Sequence, residues 1–186
     1  LINPFSLADA NQSHPQPDGS KPYYDESLGS WAAPFIMAAI NTKNVHRSNY
    51  LANFAYGKTF QYDEMMLTGP GEKGEAMANH VAQDKSLGGQ GGPKPGEGPS
   101  KEERENGFYD VMFIGEATNG DTLAVSVTGD KDPGYGSTSK MISESALCLC
   151  KDVSLSGGFF TPASALGDKL ISRLTEKAGL TFNVEK

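Results

Sequence analysis

Three stretches of the chain carry residues whose types and spacing could do chemistry. The first is the polar run Asn41, Thr42, Asn44, His46, Arg47, Ser48, Asn49 and Tyr50. A guanidinium among amides is a fork of N–H donors that fixes a carboxylate, a thioester carbonyl or a phosphate. The same run on an otherwise apolar helix is also what a solvated helix end looks like. Tyr50, Tyr56 and Tyr62 are spaced to line the same region, although a buried tyrosine with a bonded hydroxyl is the more ordinary role. The second stretch runs from Gly129 to Thr138, with Asp130, Asp132, Gly134, Tyr135, Gly136 and Ser137 between. Glycines and hydroxyls at a new helix N-terminus can present backbone N–H groups to an anion. It is not a P-loop, because Tyr135 and Gly136 follow Gly134 where Lys and Ser or Thr are needed. Asp130 and Asp132 would repel phosphate, and Ser137 or Thr138 can simply cap the helix.

The third is Gly69-Pro70-Gly71-Glu72-Lys73-Gly74, formally G-x-G-x-x-G between a strand and a helix. The strand before it carries Gln61, Asp63 and Glu64, whereas the first strand of a dinucleotide fold is buried on both faces. An ordinary glycine-rich turn is the better reading. No metal site is expected: His14, His46 and His80 are far apart, and Cys148 and Cys150 form no C-x-x-C pair. No G-x-S-x-G elbow or recognisable triad supports nucleophilic catalysis.

The composition fits this. Lys plus Arg number 16 against 23 Asp plus Glu, a formal charge of −7, and the basic residues are scattered, which speaks against nucleic acid or an anionic membrane as partner. The longest apolar run, Trp31 to Ile40, is far short of the ~20 residues that span a bilayer. Two cysteines on different faces of one helix suit a reducing, cytoplasmic compartment. Leu1-Ile2-Asn3-Pro4-Phe5 reads like chain already in progress, with a further N-terminal part expected before it.

The elements that must position these residues follow from pattern. Residues 1–30 form an extended arm, rich in Pro, Asn, Asp, Ser and Gly without period. Residues 31–186 form a single α+β domain: a mixed or antiparallel sheet with an Asn-Gly hairpin, covered by about three to four helices and lacking a Rossmann half. A helix is expected from Trp31 to about Phe54, with Phe35, Ile36, Ala39 and Ile40 as its apolar stripe. A strand follows from Phe60 to Thr68, then a helix from Glu72 to Leu87. Residues 88–107 combine Gly, Pro and charge and are expected to form a mobile loop. Phe108–Thr118 and Asp121–Gly129 read as strands joined at Asn119-Gly120 by a two-residue type I′ turn. A helix from Ser137 to Lys151 buries Met141, Ile142, Ser145, Ala146 and Leu149. Thr161 and Pro162 start a helix with Leu166, Leu170 and Leu174 on one face, Gly179 ends it, and Leu180–Val184 is a closing strand.

The stretches Trp31–Ala38, Asn41-Thr42, Val45–Asn49, Tyr56–Glu64, Gly134–Thr138, Glu144–Leu149 and Gly158–Ala163, in that order, resemble the C-terminal part of the saccharopine dehydrogenase-like oxidoreductases, a group that includes bacterial trans-acting enoyl reductases. The likeness fails only at residues 88–105. It implies a two-part protein, with an N-terminal Rossmann domain holding NAD(P) and a C-terminal domain that closes over substrate and supports dimerisation. NAD(P) is then expected in the full-length protein and none in this chain alone. The implied partners are the chain's own N-terminal Rossmann domain, a second copy in a homodimer, and a small-molecule or acyl-thioester substrate. Arg47, Asn49, Tyr50, Tyr135 and Thr138 are the candidates for the substrate face, and no catalytic residue is carried over. The alternative is a non-catalytic dimerisation or interaction domain.

Overall fold

The computed structural model describes residues 3–9, 12–84 and 96–185. Of the expected mobile loop, residues 88–95 lie outside the described residues, as does the end of the helix expected to reach Leu87. The chain divides into two compact units, Leu1–Gly92 and Pro93–Lys186, where the sequence reading expects one domain behind an arm.

The first unit holds a three-stranded antiparallel sheet in the order β1 (Tyr23–Asp25), β2 (Ser30–Pro34), β3 (Met65–Gly69). Trp31–Pro34, expected to open a helix, is the central strand instead. The run fails as a helix because Ala32 and Ala33, buried to 1% and 0% exposure, pair with Leu67 and Met66 across the ladder. Pro34 sits at the strand end, where its missing N–H costs no ladder bond. The strand expected from Phe60 forms only from Met65. Helix α2 (Gly71–Gln83) packs on β2 and β3, with Gly74, which lacks a side chain, and the small Ala78 as its buried residues permitting close approach.

Helix α1 therefore spans only Ala38–Leu51, and its polarity is reversed from expectation. Ile36 and Ile40, expected in the core, are exposed, whereas His46, Ser48 and Asn49 are buried. Burial of that polar half is possible because each of the three finds a hydrogen-bond partner. What covers the helix is the N-terminal arm. Its Phe5 is 4% exposed, and the arm contributes a strand of its own in β1.

The second unit opens with a short helix, α3 (Lys101–Asn106), inside the stretch expected to be a loop. Ser100 and Glu103 explain it, since they form a reciprocal capping box that satisfies two N-terminal donors. A second antiparallel sheet follows in the order β4 (Tyr109–Glu116), β5 (Thr122–Gly129), β6 (Leu180–Glu185). The Asn-Gly hairpin is present, but with a three-residue loop rather than a two-residue turn. Ala117 N–H bonds Asp121 O, Gly120 N–H bonds Ala117 O, and Gly120 takes φ +88°. Asn119 is not left-handed. Its side chain instead bonds both the backbone N–H and the carboxylate of Asp121, which favours the longer loop.

Helices α4 (Gly136–Lys151) and α5 (Pro162–Lys177) pack together, and the core joins Leu174, Ala178 and Leu180 to Val127, Met141, Leu170 and Phe182. Thr161 and Ser164 cap α5, and Leu166 and Leu174 are buried as the four-residue spacing predicts. Gly167 kinks the helix with φ +48°. On α4 the expected buried face is shifted. Ile142, Ala146 and Leu149 are exposed, and the inward stripe runs instead through Ser137, Met141, Ser145 and Cys148, of which Ser137 and Cys148 are buried. Arg173 of α5 ties the pair by bonding Glu144 of α4 at 2.9 Å and Asp152 at 2.8 Å.

Candidate functional site

In the first unit, the sequence candidates gather at the C-terminal half of α1. Asn49 is 1% exposed and acts as a backbone clamp: Nδ2 donates to Gly57 O at 2.9 Å and Oδ1 accepts from Tyr56 N–H at 2.9 Å. Phe54 N–H also donates to Asn49 O at 2.7 Å. The clamp holds a turn in which Asn53 and Phe54 take φ of 53° and 60°. Left-handed backbone costs a residue such as Phe roughly 1–2 kcal/mol, so the bonds from Asn49 maintain a shape the turn would otherwise avoid. Every polar atom of the Asn49 amide thus serves the backbone.

Arg47 donates from one guanidinium nitrogen to Leu7 O at 3.0 Å, and its Cζ lies 5.8 Å from the Tyr50 ring centre, within cation–π range. Tyr50 is 38% exposed and contacts Phe54, while Tyr56, Phe60 and Tyr62 form a second chain of rings. Tyr56 and Tyr62 are thus joined through Phe60, while Tyr50 belongs to a separate ring pair with Phe54, and Tyr62 is the one of the three that faces inward. The Tyr62 hydroxyl donates to Glu64 Oε1 at 2.8 Å, and Asn41 Nδ2 donates to Glu64 Oε2 at 2.9 Å. Burial, and then the bond to Glu64, raise the Tyr62 phenol well above its ordinary value. Burial raises the Asp63 carboxyl as well. Glu64 is absent from the sequence candidates because it reads there as a strand residue; its pairing with Asn41 spans 23 positions, which no local pattern signals.

The polar run is consequently neither a solvated helix end nor a simple open fork. Asn44 and Tyr50 are its exposed members, and Arg47 is half-buried. A shallow depression of about 480 Å³ lies elsewhere in the same unit, lined by Pro17, Asp18, Gly19, Lys21, Pro22, Tyr23 and Asp63.

In the second unit, the turn before α4 presents its N–H groups inward. The Asp132 carboxylate accepts from Gly134 N–H at 3.1 Å, Tyr135 N–H at 3.0 Å and Gly136 N–H at 2.5 Å. Desolvation works against the Asp132 charge, yet those three bonds hold its pKa below the usual carboxylate value. The chain's own anion thus fills the nest that the sequence offers to a ligand. It also takes the capping role expected of Ser137 or Thr138: Ser137 is fully buried against the Tyr109 hydroxyl at 2.9 Å, and Thr138 Oγ1 donates to Pro133 O at 2.7 Å. Tyr135 is 55% exposed and projects from this turn. The five candidates therefore fall in two units, Arg47, Asn49 and Tyr50 in one and Tyr135 and Thr138 in the other.

The glycines at 69–74 are accounted for by local geometry. Gly69 and Gly71 have φ of +96° and +65°, and a Cβ on Gly74 would stand 1.9 Å from Gly69 O. The turn closes on its own backbone at the end of an antiparallel sheet, and neither it nor the Asp132 nest fits a dinucleotide pyrophosphate. Among the described residues no group of three or more His, Cys, Asp or Glu side chains could hold a metal ion, and no helix is long and apolar enough to cross a membrane.

The fold is thus α+β, with two small antiparallel sheets and no parallel nucleotide-binding sheet among the described residues. Set beside known proteins, the chain is similar to mycobacterial trans-acting enoyl reductases. It is 34% identical to one from Mycobacterium ulcerans over 95% of this chain and 49% of that protein. It is 32% identical to one from Mycobacterium bovis (strain BCG), over 94% of this chain and 48% of the relative. A Mycobacterium tuberculosis protein that bears the same name provisionally is 37% identical over 94% of this chain and 48% of its own length. The chain spans about half the length of the curated relatives it matches. No protein-family model and no solved structure matches it.

Proposed function

We propose that this chain is the C-terminal, substrate-side part of an NAD(P)-dependent enoyl reductase of the saccharopine dehydrogenase-like kind, inactive by itself. The observation that carries the reading is the similarity to enoyl reductases along nearly the whole chain but only half of each relative. On this reading nucleotide binding belongs to the other half, since among the described residues neither glycine-rich turn has the shape of a pyrophosphate cradle. The nicotinamide supplies hydride when bound there. On the first unit the residues offered to an acyl thioester are the half-buried Arg47 and the exposed Tyr50 of α1. Asn49 is a positioning residue that shapes the 52–57 turn beside them. The full-length protein should oxidise NADPH when given an enoyl thioester, and the 186-residue chain alone should not. Full-length protein that leaves NADPH unoxidised with enoyl thioesters of several lengths would remove the proposal.

A second reading, a non-catalytic dimerisation or interaction domain, is favoured by one feature. Val111, Met112, Phe113 and Ile114 on edge strand β4 are each 44% exposed, so the strand is apolar on both faces where edge strands normally carry charge. Light scattering over a range of concentrations tests it, since a chain that stays monomeric throughout has no use for such an edge.

A further inference from the structure

The arm crosses α1 by means of two histidines that share one phenylalanine. The Phe5 ring lies between those of His14 and His46, at centroid distances of 4.7 and 4.5 Å, and the two imidazoles are themselves 6.3 Å apart. His46 also meets Phe60 at 5.9 Å. Gln16 closes the cluster: Oε1 accepts from Tyr62 N–H at 3.1 Å and lies 3.1 Å from His46 Nε2, while Nε2 donates to Phe60 O at 3.1 Å. His14 Nε2 is 2.7 Å from Phe60 O, which can only accept.

This arrangement dictates a tautomer. The Tyr62 N–H fixes Gln16 Oε1 as an acceptor, so His46 Nε2 must carry the proton and, in the neutral ring, Nδ1 keeps its lone pair. His46 Nδ1 is buried and has no hydrogen-bond partner. Protonation would create an N–H with no acceptor and a positive charge on a side chain that is 1% exposed. We propose that protonation of His46 detaches residues 3–9 and 12–16 from α1, so that this part of the arm is a pH-sensitive strap over the candidate site. Release would also withdraw Leu7 O from Arg47.

The charged and titratable residues on the elements round His46 are Asp9 and His14 on the arm, Lys43, Arg47 and Tyr50 on α1, and Tyr56, Lys58, Tyr62, Asp63 and Glu64 on the following segment. His14 is the one in ring contact. Burial first, and the His14 charge second, lower the His46 pKa from its ordinary value. The sign follows: docking is fully stabilised above about pH 6.5, the value of a free imidazole, and is lost as pH falls from there through the lowered value of the docked state.

Amide hydrogen exchange on the full-length protein, corrected for intrinsic rates, tests the strap. The Tyr62 amide should lose about tenfold of its protection for each unit that pH falls between about 6.5, the free imidazole value, and the docked His46 pKa, and level off below it, a proton-linked opening of a single group. The Ala52 amide, bonded to Ser48 O within α1, should keep its own. His46→Leu should hold the arm at both ends of the range. His14→Gln, which keeps a donor for Phe60 O and removes the neighbouring charge, should raise the pH at which the loss of protection levels off. The proposal is overturned if Tyr62 stays protected to about pH 5, well below a free imidazole, if Ala52 opens in parallel, or if His14→Gln abolishes release.

Discussion

The side chain of Asn49 reaches eight residues ahead to bond Gly57 O, and through that bond a buried polar residue on α1 determines how the surface turn beside Arg47 is shaped. Replacing Asn49 with Ala leaves Tyr56 N–H and Gly57 O without that partner. Stability should fall by about 2–3 kcal/mol, a buried hydrogen-bonding group being lost together with its two mates. Asn49→Asp should cost no less, since a carboxylate accepts from Tyr56 but faces the Gly57 carbonyl with no donor. Urea denaturation of each variant, with m unchanged, is the check.

Gly179 ends α5 with φ +74°, and a Cβ there would stand 2.5 Å from the Asp130 carboxylate. Gly179→Ala should therefore cost more than the ~1 kcal/mol that left-handed backbone alone imposes on alanine. Gly120→Ala is the matched control. Gly120 has φ +88° with open space around it, so its penalty should stay near that of the backbone. Thermal unfolding of the two variants separates strain from collision.

Asp132 should make the α4 turn sensitive to acid. Its folded pKa is lowered, so the stabilisation is present above the unfolded value near 3.9 and is lost as pH falls through the folded value. Asp132→Ala should flatten this acid limb and lower the urea midpoint at neutral pH. It also empties the nest, so inorganic phosphate should raise the melting temperature of the variant and leave that of the parent unchanged.

Arg47→Ala in the full-length protein should lower kcat/KM for an enoyl thioester by about tenfold to a hundredfold, the range of a charge-assisted hydrogen bond to substrate. Loss of the bond to Leu7 O should cost only about 1 kcal/mol of stability. Comparing the kinetics with urea denaturation distinguishes the two roles, since a loss of stability with turnover intact would make Arg47 a strap residue alone.

The readable parts of the fold were those built from local rules. Thr161 and Pro162 start α5, Leu166 and Leu174 face inward, and Gly179 stops the helix, because capping, four-residue spacing and a left-handed glycine act within a few residues. The misread parts depend on distant partners. Trp31–Pro34 is a strand because β1 and β3 flank it, and α1 buries His46 and Asn49 because the arm and the 52–62 turn supply bonds that a helical pattern cannot show. The candidate site was legible as a set of residue types, and the closure of its second half was not. Asp130 and Asp132 suggest repulsion of an external anion, but that Asp132 itself would occupy the nest depends on the turn's three-dimensional path.

The proposed role, the substrate side of an NAD(P)-dependent enoyl reduction, is open to direct assay. The most direct measurement is NADPH consumption by the full-length protein with a trans-2-enoyl thioester, coupled to mass detection of the product. NADPH oxidation with a product two hydrogens heavier is expected, and no turnover by the isolated chain. A folded full-length protein that binds NADPH yet returns the enoyl thioester unreduced would contradict it.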